Sequence, residues 1–205
     1  MRILILLVGV LFSQGLWAQK LLIMGDSISA AYGIDKQQGW VALLEQKLPE
    51  ICPQVQVINA SVSGETSGGG RQRLPRLLAE HQPQWVVIEL GGNDGLRGMP
   101  PMQMQHNLQQ MVDDAEQAGA QPILLAIRIP TNYGERYREI FEQVFASLAR
   151  RNKLPWHPFI LEGIAEHPEL MQDDGTHPLA EAQPILLDNV WPVLAPEISR
   201  ACGRK

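Results

Sequence analysis

Short apolar runs alternate with longer stretches whose apolar residues recur every three or four positions. Leu21–Met24 is an apolar strand that ends at Gly25. Trp40, Val41, Leu44 and Leu48 then form a helical stripe, and Val55–Ile58 is a second strand. Leu74, Leu77 and Leu78 place a helix over Arg71–Glu80, with Pro75 expected near its first turn, where a missing N–H does no harm. Trp85–Leu90 is the most apolar strand and stops at Gly91-Gly92. Met104, Leu108, Met111, Val112 and Ala115 follow helical spacing. Pro122–Ile129 reads as a fourth strand. Tyr137, Ile140, Phe141, Val144, Phe145 and Leu148 give a wide apolar helix face. A weaker strand near Leu154–Trp156 follows, then a closing helix over Ala180–Leu194, interrupted at Pro184 and Pro192.

Strands that alternate with helices predict βαβ crossovers and a parallel sheet covered on both faces. Ligands bind such sheets beyond the carboxyl ends of the strands. Functional residues are therefore expected directly after strands. The 205 residues fit one such domain.

The first residues stand apart from this pattern. Arg2, the apolar run Ile3–Phe12 and the small residues before Gln19 read as a secretory signal peptide over residues 1–18. Ala18 suits the position before cleavage, and a cut after Gly15 is the alternative. The apolar run is too short for an ordinary membrane span, and no Cys at the cut offers a lipid attachment point. Residues 19–205 are the mature domain, expected in the periplasm or outside the cell. A net charge of −5 with both signs scattered, and no Lys/Arg run, argues against nucleic acid as a partner. An oxidising compartment permits a disulfide, but the spacing of Cys52 and Cys202 leaves their pairing open. No Cys-x-x-Cys or clustered His points to a metal, and no phosphate-cradling motif points to a nucleotide cofactor. His81, His106, His157 and His167 are scattered and read as surface or structural residues.

Four segments carry candidate chemistry. Gly25-Asp26-Ser27 follows the first strand, so the Ser27 hydroxyl would sit in the crevice with its N–H at a strand-to-helix turn. Alone, the tripeptide reads better as an ordinary turn with a helix cap. Asp174 and His177 are three residues apart, so one tight turn can join carboxylate and imidazole, the pair a serine nucleophile needs. Gly91-Gly92-Asn93-Asp94 follows the most apolar strand, and the Asn93 amide can donate to an oxyanion. Asn59–Thr66 follows another strand and contains Gly64, whose N–H is not obstructed by a side chain. Gly68–Gly70 read as loop and helix-start residues.

With these four segments the chain resembles the GDSL, or SGNH, hydrolase family, whose letters match Ser27, Gly64, Asn93 and His177. The likeness runs from about Leu21 to the closing helix. It is nearest a bacterial periplasmic branch active on thioesters, lysophospholipids and aryl esters. The resemblance implies an α/β/α sandwich with a parallel sheet of about five strands. It implies a catalytic triad of Ser27, Asp174 and His177, and an oxyanion hole from the Ser27 and Gly64 backbones and the Asn93 amide. Ile28 stands where the name-giving motif has Leu, an apolar exchange. The expected partners are small acyl substrates, met by a monomer without cofactor, metal or stable membrane anchor. Asp26, Gly95, Leu96, Ile129 and Pro130 are candidate substrate contacts. Gly95–Met104 would form a mobile apolar lip, and Ile129–Tyr133 the opposite wall. A carbohydrate O-acetylesterase and a non-catalytic periplasmic binding module are the alternatives.

Overall fold

The computed structural model describes residues 19–203, so the leader expected over 1–18 lies outside the described residues. Five strands form one parallel sheet in the order β2-β1-β3-β4-β5. They are β1 (Gln19–Gly25), β2 (Val55–Asn59), β3 (Trp85–Glu89), β4 (Gln121–Leu125) and β5 (Trp156–His157). Among the described residues the α-helices are α1 (Trp40–Lys47), α2 (Ser67–His81), α3 (Gly92–Leu96), α4 (Pro101–Gln117), α5 (Glu135–Asn152) and α6 (Gln183–Ala201). Helix α1 packs on α6, whereas α2, α4 and α5 pack side by side in the other layer. This is the expected α/β/α sandwich.

The central strand β3 is buried throughout, as its apolar run demands, while the edge strand β2 is only partly covered. Strand order reverses between β1 and β3. In open parallel sheets that switch point opens a crevice beyond the strand ends. Ser27 follows β1 there and Asn93 follows β3.

Several boundaries differ from the sequence reading, each for a local reason. No regular helix follows Ser27; residues 27–32 form turns held by Ala30 N–H to Asp26 O and Tyr32 N–H to Ser27 O, both 3.0 Å. Helix α2 starts earlier than expected because Thr66 caps it, its hydroxyl accepting from Gly69 N–H at 3.3 Å. Gly68–Gly70 thus belong to the helix, and a side chain at Gly70 would run into Leu90. Pro75 lies well inside α2 rather than in its first turn. Helix α6 runs unbroken through Pro192 and Pro196, with Pro184 in its first turn. Burial of Leu186, Leu187, Val190, Leu194 and Ile198 outweighs the lost backbone bonds. Ile140, expected on the buried face of α5, is exposed.

Strand β4 stops at Leu125, short of the predicted Ile129. The chain then leaves the sheet after Ala126, which bonds to His157 and Ile160. Ile127, Ile129 and Pro130 are thereby released to line the crevice.

Cys52 and Cys202 form a disulfide, with Cα atoms 5.8 Å apart. Cys202 caps α6 and does not lie in a loose tail. The bridge lies at the amino end of the sheet, away from the strand ends that carry Ser27 and Asn93.

Candidate active site

The turn after β1 presents Ser27 at the sheet switch point. His177 Nε2 lies 2.8 Å from Ser27 Oγ, and His177 Nδ1 lies 2.7 Å from Asp174 Oδ2. A carboxylate on Nδ1 fixes the proton there, which leaves Nε2 to accept from the serine hydroxyl. The Asp174–His177 turn is shaped by the carboxylate itself. Its Oδ1 accepts the N–H of Thr176 at 2.9 Å and of His177 at 3.0 Å, while Gly175 takes a φ of +63°. Burial raises the Asp174 pKa, but the hydrogen bonds from the His177 ring and from the Thr176 and His177 amides outweigh it and hold the carboxyl down at about 2. Asp174 therefore remains a carboxylate facing the imidazole at any working pH. Gln172 fastens the loop, donating from Nε2 to Tyr32 O at 2.8 Å and from its N–H to His177 O at 2.8 Å.

Asn93 opens α3 directly beyond β3. Its Nδ2 donates to Asp26 Oδ2 at 3.1 Å and to Glu65 O at 2.9 Å. Two acceptors on one side settle which end of the amide is nitrogen. The loop after β2 runs along β1, with Val62 N–H on Gly25 O at 3.1 Å. Gly64 follows at φ +77°, its carbonyl taking Arg97 Nη2 at 2.9 Å. Asp94, beside Asn93, is buried and accepts from the Ser67 N–H and hydroxyl, joining α3 to the start of α2.

A cleft of about 440 Å³ opens from Ser27 and His177. Ile127, Phe159, Leu161 and Met171 give it much apolar wall, and Arg128, Arg138 and Glu166 also line it. Of the candidate substrate contacts, Asp26, Leu96, Ile129 and Pro130 line it, and so does Asn93. Gly95 does not. It backs onto Ile129 and Phe141, where an added Cβ would come within 2.5 Å of Ile129 Cγ2. Gly64 stands beside the cleft and is not part of its wall. The Gly95–Met104 segment is also not a loose lip. Leu96 and Met99 carbonyls accept from the Tyr133 and Tyr137 hydroxyls, each at 2.8 Å, and Met104 is buried in α4.

Sequence reasoning missed Glu89. It is 1 % exposed at the end of the otherwise apolar β3. Its Oε2 accepts from the Ser29 hydroxyl at 2.7 Å and from Asp26 N–H at 3.3 Å. Trp40 Nε1 donates to the same Ser29 hydroxyl at 3.2 Å. Burial, and then the neighbouring Asp26 charge, push the Glu89 carboxyl well above the usual range. A lone carboxylate in an apolar strand was the available signal. Phe159, Leu161 and Met171 could not have been found, because they come from an irregular stretch without periodicity. Among the described residues, no group of three or more His, Cys, Asp or Glu is gathered as a metal site.

A hydroxyl, an imidazole and a carboxylate in series, set above a parallel sheet and opening on an apolar cleft, define a serine-type ester hydrolase. The chain belongs to the GDSL-like lipase/acylhydrolase family, whose model matches residues 23–183. It is 54 % identical over 187 residues to "Esterase TesA" of Pseudomonas aeruginosa, covering 91 % of this chain and 93 % of that one. It is 46 % identical over 182 residues to "Thioesterase 1/protease 1/lysophospholipase L1" of Escherichia coli K12, covering 89 % and 86 %. The psychrotrophic esterase EstA from Pseudoalteromonas sp., in a structure inhibited by monoethylphosphonate, superposes with a TM-score of 0.82 at 41 % identity, covering 88 % of this chain and 98 % of that one.

Proposed function

We propose that Ser27, His177 and Asp174 are the catalytic triad of an acyl esterase that also accepts thioesters and lysophospholipids. The observation that carries this reading is the unbroken chain of contacts at 2.8 Å and 2.7 Å from Ser27 Oγ through the His177 ring to Asp174. His177 Nε2 takes the Ser27 proton as Oγ attacks the acyl carbonyl. The backbone N–H groups of Ser27 and Gly64 and the Asn93 amide hold the oxyanion. His177 then protonates the departing alcohol or thiol, and water, activated by the same imidazole, releases the acid. The apolar cleft beside Ser27 suits an acyl chain and is within the usual volume of a small-molecule site. The names of the similar proteins from Pseudomonas aeruginosa and Escherichia coli support the ester and thioester assignments.

In this reading residues 19–205 are one catalytic domain, exported by the leader and working as a monomer in the periplasm or outside the cell. The disulfide Cys52–Cys202 supports an oxidising compartment. Among the described residues no helix is long and apolar enough to cross a membrane.

The test is an acyl-chain-length series of nitrophenyl esters and acyl-CoA thioesters. Hydrolysis of medium and long chains, lost in Ser27→Ala, is expected. Activity confined to acetyl esters would point to an O-acetylesterase instead.

A further inference from the structure

Both hydrogens of the Asn93 amide are engaged. One reaches Asp26 Oδ2 at 3.1 Å and the other the Glu65 carbonyl at 2.9 Å. An oxyanion held by this amide must take or share one of them. The Glu65 carbonyl belongs to a braced turn. Its N–H bonds Val62 O at 3.0 Å, and its side chain is tied to Arg73 at 2.7 Å. Asp26 is among the residues that line the cleft, whereas Glu65 is not, so Asp26 is the partner nearer an oxyanion in the cleft. Capping the turn accounts for only one of its oxygens, Oδ1, which accepts Ile28 N–H at 3.0 Å. The other oxygen is left for Asn93. The Asp26 backbone is anchored in turn, its N–H donating to Glu89 Oε2 at 3.3 Å.

We infer that Asp26 is the positioning residue of the oxyanion hole, its Oδ2 aiming the Asn93 amide in the resting site and yielding that hydrogen when the tetrahedral intermediate forms. This inference rests on Asn93 being an oxyanion donor. A carboxylate acceptor makes the stronger grip, so it fixes the plane of the Asn93 amide and the direction of that N–H before substrate arrives. Three other titratable groups bear on Asp26: Glu89 from β3, Asp94 from α3 and His177 from the loop beyond β5. Burial, opposed by the Ile28 N–H, His177 and Asn93, lifts the Asp26 carboxyl to about 6. Its hold on Asn93 is therefore that of a full charge above this pH and of a neutral acid below it.

Asp26→Asn separates the roles. Its one oxygen can still cap Ile28, which sets an NH2 group against the NH2 of Asn93. The experiment is a double-mutant cycle of Asp26→Asn and Asn93→Ala on a soluble nitrophenyl ester, with kcat and KM read separately. The side-chain amide of Asn93 is followed by 15N–1H NMR in parallel, over about pH 5 to 8. We expect Asp26→Asn to lower kcat by about tenfold with KM within about twofold, and to add no loss in the Asn93→Ala background. The Asn93 amide resonance of the unmodified enzyme should titrate with a midpoint near 6, and stay flat in Asp26→Asn. Equal losses from Asp26→Asn with and without Asn93, or an Asn93 resonance that does not move with pH, would overturn the inference and leave the triad reading intact. Unchanged kcat in Asn93→Ala alone would overturn both the inference and the oxyanion role of Asn93. The NMR titration needs no variant, so a poorly folding Asp26→Asn would not remove the test.

Discussion

The ring of Tyr32 packs against that of His177, with centroids 4.5 Å apart and planes tilted by 41°. Gln172 clamps both loops, through the Tyr32 carbonyl and the His177 carbonyl, so the contact is held from two sides. Ring pairs of this kind are worth about 0.5–1.5 kcal/mol, and half-exposed Tyr32 adds little to the core. Tyr32→Ala should therefore lower kcat by about three- to tenfold while the melting temperature barely moves. Steady-state kinetics and thermal unfolding check this. An unchanged kcat would show that the imidazole needs no ring beside it.

Glu89 makes stability depend on pH. Its folded pKa is raised above the unfolded value by burial, so the folded state holds a proton that the unfolded state loses. Stability from this group is fully present below the unfolded carboxylate pKa and is lost as pH rises toward the folded one. Glu89→Gln keeps an acceptor for Ser29 and Asp26 and removes the titration. Urea midpoints should favour the variant over the parent by a margin that grows from about pH 4.5 to pH 8. A margin that stays constant over this range would mean that Glu89 is ionised in the fold.

The disulfide joins residues 150 positions apart at the end of the sheet remote from Ser27. Closing so long a loop restricts the unfolded chain by about 3–5 kcal/mol. Cys52→Ala/Cys202→Ala should lose stability of that order and retain its kcat at temperatures where it remains folded. Loss of kcat in a folded double variant would show coupling between the two ends of the sheet.

Gly95 acts on the cleft from behind. A Cβ there would come within 2.5 Å of Ile129 Cγ2 and 2.7 Å of Phe141 Cε2. Phe141 is locked in the core beside Phe145, so the cleft-lining Ile129 must give way. Gly95→Ala should cost about 1–3 kcal/mol of stability and shift the ester profile toward shorter acyl chains. An unchanged profile would place the acyl chain away from Ile129.

Much of this was written in the chain's periodicity. The alternation of strand and helix gave five parallel strands, and the rule that sites follow strands drew attention to Ser27, Asn93 and Gly64, of which the first two line the cleft. The Asp174–His177 spacing gave the pair that the structure joins at 2.7 Å. Pro75 and Pro192 misled, because a proline's local penalty is smaller than the tertiary burial of the helix faces that carry them. Gly95–Met104 looked mobile because its composition cannot reveal that Tyr133 and Tyr137, a whole crossover away, bind its carbonyls. Glu89 escaped notice because burial of a carboxylate depends on which strand lies in the middle of the sheet.

The proposed role of Ser27 as nucleophile is tested most directly by covalent capture. Incubation with a fluorophosphonate probe, followed by peptide mass spectrometry, should place one adduct on Ser27. The adduct should be absent in Ser27→Ala and form much more slowly in His177→Ala. Labelling at another residue, or none on a folded protein that still hydrolyses esters, would contradict the assignment of Ser27 as nucleophile.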